Sequence, residues 1–260
     1  MKTDLKQLQF KNKGKIMNEL ENNQQYISQK GFIKIDVIRG FSEIAFLYRI
    51  IKETVKNNGF ICGGYVRYMC SPLVNPIPAG DVDIYSKTQD DFDKLKDVLM
   101  NKFNLEIKHE NDVSITFKKS KDENLKYCPP LQLIKPIEEG NITAKGDMKT
   151  ILENFDFTVI RIGLINTQKA LADADFIHDE SHKLLRLKNI HCPISSTLRC
   201  MKYSRKGYFL RPIQAFRLFA DWDQRTDEYR SRIAELIEQT ETNNLTQEEI
   251  DELEALMRID

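Results

Sequence analysis

The stretch FICGGYVRYMCSPLVNPIPAGDVDIY, residues 60–85, decides the fold of this 260-residue chain. It opens with a short apolar segment, which predicts a buried strand. Gly63 and Gly64 follow at once, ahead of a segment that can start a helix. After a loop rich in proline and glycine, residues 82–85 predict a second short strand. The two strands therefore enclose a glycine turn and a short helix, where a binding site can form.

The glycine pair is typical of a phosphate-binding turn. Glycine lets backbone N–H groups approach a phosphate closely, and the N-terminus of a helix favours negative charge. Arg67 falls in the first turn of the predicted helix, within reach of the same phosphate. A tight turn without any ligand is the alternative interpretation of Gly63 and Gly64.

Asp81 and Asp83 indicate a metal site beside this turn. Residues two apart on a strand point to the same side, so the two carboxylates lie together. Such a pair repels itself unless a cation is present, and hard oxygen ligands suit Mg²⁺. We therefore expect Asp81 and Asp83 to be catalytic metal ligands, although such pairs also occur in turns and on solvent faces.

The remaining pattern predicts an α+β protein whose strands and helices mix first and give way to helices alone. Residues 1–40 are interpreted as an N-terminal helical extension, 41–190 as the mixed domain and 191–260 as a helical domain. Further strands are predicted at 113–117, 131–134 and 157–165.

Two helices are expected within the mixed domain. One has apolar residues at helical spacing: Ile44, Leu47, Tyr48, Ile51 and Val55. The other begins after Thr88, whose hydroxyl can cap it. Its expected apolar face consists of Phe92, Leu95, Leu99 and Phe103.

The composition is that of an ordinary soluble protein with 41% hydrophobic and 30% charged residues. No apolar run approaches the roughly 20 residues that a membrane helix needs, so no membrane partner is expected. Five cysteines without a C-x-x-C pair favour a reducing, cytoplasmic setting over a disulfide framework. The formal net charge is zero, so a polyanion must meet a local patch, such as the basic stretch 199–211.

Gly63-Gly64-x-x-Arg67, followed by Asp81-x-Asp83, resembles the paired motifs of the polymerase-β-type nucleotidyltransferase superfamily. The likeness is greatest to the head and neck of the bacterial-type tRNA nucleotidyltransferases (CCA-adding enzymes) and poly(A) polymerases. It implies a small mixed β-sheet head flanked by helices and followed by an all-helical neck. It also implies that these five residues hold Mg²⁺ and a nucleoside triphosphate such as ATP.

Two weaker likenesses extend the resemblance over roughly residues 58–215. Asp156 and Thr158 match the end of the family's Arg-Arg-Asp-Phe-Thr motif, which implies that both bind nucleotide and that Asp156 is catalytic. Asn154 and Phe155 stand where the paired arginines would be. A basic helix like that of the family's neck implies four more nucleotide or RNA contacts, unless it is only a solvated face: Arg199, Lys202, Arg205 and Lys206.

The chain departs from the family at two further points. The strand predicted at 131–134 offers Gln132 where a third acidic residue is usual. Either Asp156 supplies that ligand or the site uses two carboxylates, and the sequence leaves both open. The family's base-reading Glu-Asp-x-x-Arg motif has only a poor match at residues 221–225.

The resemblance implies transfer of a nucleoside monophosphate from a nucleoside triphosphate to an acceptor hydroxyl, with release of pyrophosphate. RNA, and the 3′ end of tRNA above all, is the expected acceptor. One alternative is a protein or small-molecule acceptor, as in toxin or resistance enzymes. Another is a non-catalytic nucleotide- or RNA-binding module, for which Gln132 is the support. The oligomeric state cannot be deduced from the sequence.

Overall fold

A computed structural model describes residues 31–39, 45–118, 129–139 and 142–241. Its strands are β1 (Phe32–Asp36), β2 (Gly59–Cys62), β3 (Val82–Ser86), β4 (Glu106–Glu110), β5 (Ser114–Lys118), β6 (Leu131–Ile134), β7 (Glu138–Glu139), β8 (Ile142–Thr143), β9 (Ile162–Leu164), β10 (Lys169–Asp173), β11 (Leu184–Leu185) and β12 (Phe209–Leu210). Its helices are α1 (Ala45–Lys56), α2 (Gly64–Cys70), α3 (Gln89–Asp97, continued by the π-helical turn Val98–Lys102), α4 (Met148–Glu153), α5 (Phe176–Ser181), α6 (Pro193–Ser204), α7 (Pro212–Asp223) and α8 (Asp227–Glu241).

Eight of these strands form one mixed sheet in the order β1-β10-β9-β2-β3-β6-β5-β4. Only β3 and β6 run parallel among its neighbouring pairs, and the others are antiparallel. Two helices beyond residue 210, α7 and α8, complete the described chain. The predicted α+β class, a mixed sheet flanked by helices and followed by a helical part, is confirmed.

The two faces of the sheet are covered differently, because side chains alternate along each strand. Ile61 and Ile84 belong to the larger core, which also contains buried residues of α1, α2 and α3. Cys62 belongs to a smaller cluster on the opposite face, with Ile151 of α4. Asp83 pairs directly with Cys62 and therefore lies on the α4 face.

Several elements agree with the sequence pattern. The strands predicted at 82–85, 113–117 and 131–134 are β3, β5 and β6. Thr88 caps α3, since its hydroxyl accepts a hydrogen bond from the backbone N–H of Asp91 at 3.2 Å. The apolar residues predicted for this helix are buried. The first predicted helix is α1, but Ile44 lies outside the described residues.

Three predictions need correction. The proposed helical extension 1–40 is wrong for its described part, because β1 pairs with β10 as an edge strand of the main sheet. The strand predicted over 157–165 shortens to β9, since Phe157 packs in a different cluster from Ile162 and the chain turns between them. The C-terminal part is also not purely helical, because β12 pairs in parallel with β11.

A separate buried cluster joins the two sides of the predicted boundary at residue 190. Phe157 and Leu187, which precede this boundary, pack there against three residues that follow it: Tyr203 of α6, Leu218 of α7 and, between these helices, Tyr208. The division into domains remains a prediction. None of the described helices combines the length and apolar character that a membrane span requires.

Candidate active site

The turn between β2 and α2 is built around Gly63. This residue has φ +81° and ψ −143°, a conformation that glycine adopts without strain, and its N–H donates to the Ile162 carbonyl at 2.8 Å. A Cβ at this position would lie 3.5 Å from Asp83 Oδ2 and 3.5 Å from Phe155 Cε2. At Gly64 a Cβ would meet nothing within 4 Å. The glycine turn therefore lies directly beside one of the predicted metal ligands.

Asp81 immediately precedes β3 and Asp83 is its second residue, and both are half-buried. Asp83 pairs in register with Gln132 on β6, so the amide stands next to the carboxylate on the same face of the sheet. Among the residues described, no group of three acidic, histidine or cysteine side chains comes together to hold a metal. The two carboxylates nevertheless fit Mg²⁺, which commonly uses one or two carboxylates with water and phosphate oxygens.

One cleft brings most of the predicted site residues together. It lies between the β2–α2 turn, the start of β3, the loop after α4 and one face of α6. The predicted residues that line it are Gly63, Gly64, Arg67, Asp81, Asp83, Asp156, Arg199 and Lys202. Thr158 and Arg205 are not among its lining residues. Thr158 is buried and donates to Asp179 Oδ2 at 2.7 Å, and Arg205 is exposed to solvent.

Arg67 is almost completely buried at the back of the cleft, and its guanidinium binds protein groups. Nη1 lies 3.1 Å from Glu180 Oε1 and 2.8 Å from the Tyr208 hydroxyl, and Nη2 donates to the Ile77 carbonyl at 2.7 Å. Ser71 Oγ and the Tyr208 hydroxyl both donate to the Glu180 carboxylate. Burial lowers the pKa of Arg67, but Glu180, Tyr208 and Tyr203 together raise it by more, so the pKa lies above its usual value. We call this group the Arg67 clasp: Arg67, Ser71, Glu180 and Tyr208.

Asp156 connects the loop after α4 to α6. Its Oδ2 accepts hydrogen bonds from Ser196 Oγ at 2.9 Å and from Arg199 Nη1 at 2.6 Å. The carboxylate is buried and the Arg199 side chain is only 13% exposed, so little solvent screens the pair. Asp156 therefore ties α6 to the loop that follows α4. A contact from Asp156 to a metal remains a prediction.

Two further ionisable residues line the cleft: Lys206, which belongs to the basic stretch recognised in the sequence, and His191, which was not predicted as a site residue. Lys206 is half-buried, and burial together with the charges of Lys202 and Arg67 lowers the pKa of its ammonium group, against the opposite effect of Asp81. His191 also lines the cleft, and burial lowers the pKa of its imidazole. The basic run from Arg199 to Lys206 indicated Lys206 in the sequence, whereas no pattern indicated His191.

Neither a protein-family model nor a curated protein matches the chain. Solved structures do match it. A CCA-adding enzyme in complex with ATP is 16% identical with a TM-score of 0.51, over 72% of this chain and 45% of that one. A tRNA nucleotidyltransferase complexed with a primer tRNA and an incoming ATP analogue is 17% identical with a TM-score of 0.48, over 65% and 48%.

A Thermotoga maritima CCA-adding enzyme complexed with tRNA is 14% identical, with a TM-score of 0.47 over 72% of this chain and 44% of that one. The chain thus spans about half the length of the structures that it matches. The similarity to the ATP complex extends over most of the chain. A sequence identity of 16% supports a common fold only. Over the matched residues, the chain shares its fold with about half of a CCA-adding enzyme.

Proposed function

We propose that this protein is a nucleotidyltransferase, which moves a nucleoside monophosphate from a nucleoside triphosphate to an acceptor hydroxyl and releases pyrophosphate. One observation carries the proposal. A Cβ added at Gly63 would lie only 3.5 Å from Asp83 Oδ2. The glycine turn, which suits a phosphate, and the carboxylate pair therefore share one cleft. That juxtaposition suits in-line displacement at the α-phosphate.

The roles follow from the surroundings of each residue. The Gly63 turn presents the N-terminus of α2, where the backbone N–H of Gly64 binds phosphate oxygens, and Asp81 and Asp83 hold Mg²⁺. When bound, Mg²⁺ neutralises triphosphate charge and promotes ionisation of the attacking hydroxyl. Asp156 positions α6 as the opposite wall of the cleft through its contacts with Ser196 and Arg199. Lys202, on the same helix, gives that wall a positive charge.

RNA is the proposed acceptor, with the 3′ end of tRNA first. The basic face of α6 supports an anionic acceptor, and the structure with the similar fold is a CCA-adding enzyme. The chain spans only 45% of that enzyme, so the enzyme's acceptor does not by itself identify the acceptor of this protein. A protein or small-molecule acceptor is the alternative that the experiment below distinguishes.

A non-catalytic nucleotide-binding module is the second candidate function, and Gln132 favours it. This amide lies beside Asp83 on the neighbouring strand, where a carboxylate would add a metal ligand. A site with fewer carboxylates binds Mg²⁺ more weakly but can still bind the triphosphate through its phosphate turn. Tight nucleotide binding without turnover would support this candidate.

The proposal is tested by incubating the protein with Mg²⁺, each labelled nucleoside triphosphate and total cellular RNA. We expect label in a tRNA-sized band with the wild type and none with Asp81→Ala or Asp83→Ala. Asp97→Ala is the matched control, because this carboxylate is exposed on α3 and is not part of the cleft lining. Circular dichroism verifies that each variant is folded.

The outcomes separate the candidates. Transfer that survives both aspartate substitutions would refute the assignment of this cleft as the active site. Label in protein or in a small molecule, absent from RNA, would change the acceptor and leave the reaction class intact. Nucleotide binding without pyrophosphate release for every acceptor would favour the non-catalytic module.

A further inference from the structure

Four cationic side chains line the cleft, and they differ in what they contact. Arg67 binds Glu180 and Tyr208 within the Arg67 clasp, and Arg199 binds Asp156. A guanidinium held by a carboxylate of the protein has its charge largely neutralised already. Lys202 and Lys206 therefore contribute most of the positive charge that a ligand meets in the cleft.

Lys206 is the more enclosed of these two lysines. Lys202 is exposed, whereas Lys206 is half-buried just beyond the C-terminus of α6. The Lys206 Nζ lies 5.3 Å from the centre of the Tyr203 ring, and a cation at this distance is attracted to the ring face. Tyr203 is itself buried, so its ring is a fixed surface that orients the ammonium.

We infer that Lys206, assisted by Lys202, binds the terminal phosphates of the nucleoside triphosphate and the pyrophosphate that leaves. This inference rests on the proposed function, and it gives Lys206 the phosphate-binding role that the sequence motif suggests for Arg67. Lys202 on α6 and Lys206 just after it line the same cleft as the Gly63 turn. Phosphate oxygens between them would meet backbone N–H groups on one side and cations on the other.

The chemistry of the two groups supports this division of roles. A lysine ammonium is a compact charge on a flexible stem, which can follow a phosphate as it departs. Partial burial strengthens its attraction to an anion, because less water screens the charge. Arg67 cannot turn towards the cleft without leaving the Glu180 carboxylate buried and unpaired, which is strongly unfavourable.

Calorimetric titration of the intact protein with ATP, AMP and inorganic pyrophosphate, in Mg²⁺, tests the inference. Lys206→Ala should weaken binding of ATP and pyrophosphate by roughly 10- to 100-fold, the range for a lost charge-assisted phosphate contact, and AMP by less than about twofold. Lys206→Arg should restore most of the affinity, because it retains the cation. Lys108→Ala, which removes an exposed lysine on edge strand β4, should change nothing.

Equal weakening for ATP and AMP, or unchanged ATP binding in Lys206→Ala, would overturn the inference. Lys206→Gln, which removes the charge but keeps most of the side chain, gives the same comparison if the alanine variant does not fold. Wild-type protein that binds no nucleotide would refute both this inference and the proposed function. Phosphate-selective binding by Lys206 in a protein that transfers nothing would refute only the proposed function.

Discussion

At the scale of single residues, the conformation of Gly63 links stability and ligand binding. Its φ of +81° with ψ −143° is a combination that residues with a Cβ rarely adopt, so Gly63→Ala should cost about 1–3 kcal/mol of unfolding free energy. The added methyl group would also stand beside Asp83 Oδ2 and keep a phosphate away from the turn. We therefore expect weaker ATP binding as well as a lower urea midpoint.

Gly64→Ala is the natural control for this prediction. Gly64 is the first residue of α2, its φ is not positive, and a Cβ there meets no atom within 4 Å. Alanine should leave stability unchanged or raise it by up to about 1 kcal/mol. Equal stability and equal ATP affinity in the two variants would contradict the role given to the Gly63 conformation.

The same residues show which parts of a site are local. That Asp81 and Asp83 lie in one cleft could be predicted from the sequence, because the two-residue period of a strand is a property of adjacent positions. The surroundings of Arg67 could not, because Glu180 lies 113 positions away and Tyr208 lies 141 positions away. Spacing within a motif says nothing about partners that only the tertiary fold brings into contact.

At the scale of elements, α6 is held in place by one buried carboxylate. Asp156→Ala should lower the unfolding free energy by about 3 kcal/mol, because it removes the buried carboxylate that Arg199 binds in a poorly solvated position. Ser196→Ala removes a single hydrogen bond to Asp156 and should cost about 1 kcal/mol. Urea unfolding monitored by circular dichroism measures both.

Ser204→Ala is the matched substitution for this helix, because the serine is exposed near its C-terminus and should change stability by less than about 0.5 kcal/mol. If Asp156→Ala abolishes nucleotide transfer but leaves stability unchanged, the carboxylate acts on the nucleotide and does not fasten the helix. A loss of stability similar to that of Ser204→Ala would thus count against the structural role.

Elements were predictable where their signal is local. α3 carries its own cap at Thr88 and its own apolar spacing, and β6 is a short apolar run. β1 lacks such a signal, since its pairing partner β10 lies more than 130 residues further along the chain. The β-branched run beginning at Phe157 was misleading, because its residues serve two different cores.

At the scale of the whole molecule, two features connect the sheet domain to the helices that follow it. The cluster around Phe157 packs against α6 and α7, and the Arg67 clasp joins α2 and α5 to Tyr208. Both the walls of the cleft and the contacts between them are thereby part of one packed structure. We expect the described chain to unfold in a single cooperative step.

Trp222 provides the test of this expectation, because it is the only tryptophan in the chain and lies on α7 against Tyr229. Its fluorescence reports on the helical part, whereas circular dichroism reports on the whole chain, and the two urea transitions should coincide. Tyr208→Phe removes a hydroxyl that binds both Arg67 and Glu180, so it should lower the unfolding free energy by about 1–3 kcal/mol. The urea midpoints measured by fluorescence and by circular dichroism should then fall together. Tyr68→Phe, the control at a half-buried ring, should shift neither. If only the fluorescence midpoint falls and the circular dichroism midpoint does not, the helices unfold separately and the Arg67 clasp does not couple them to the sheet.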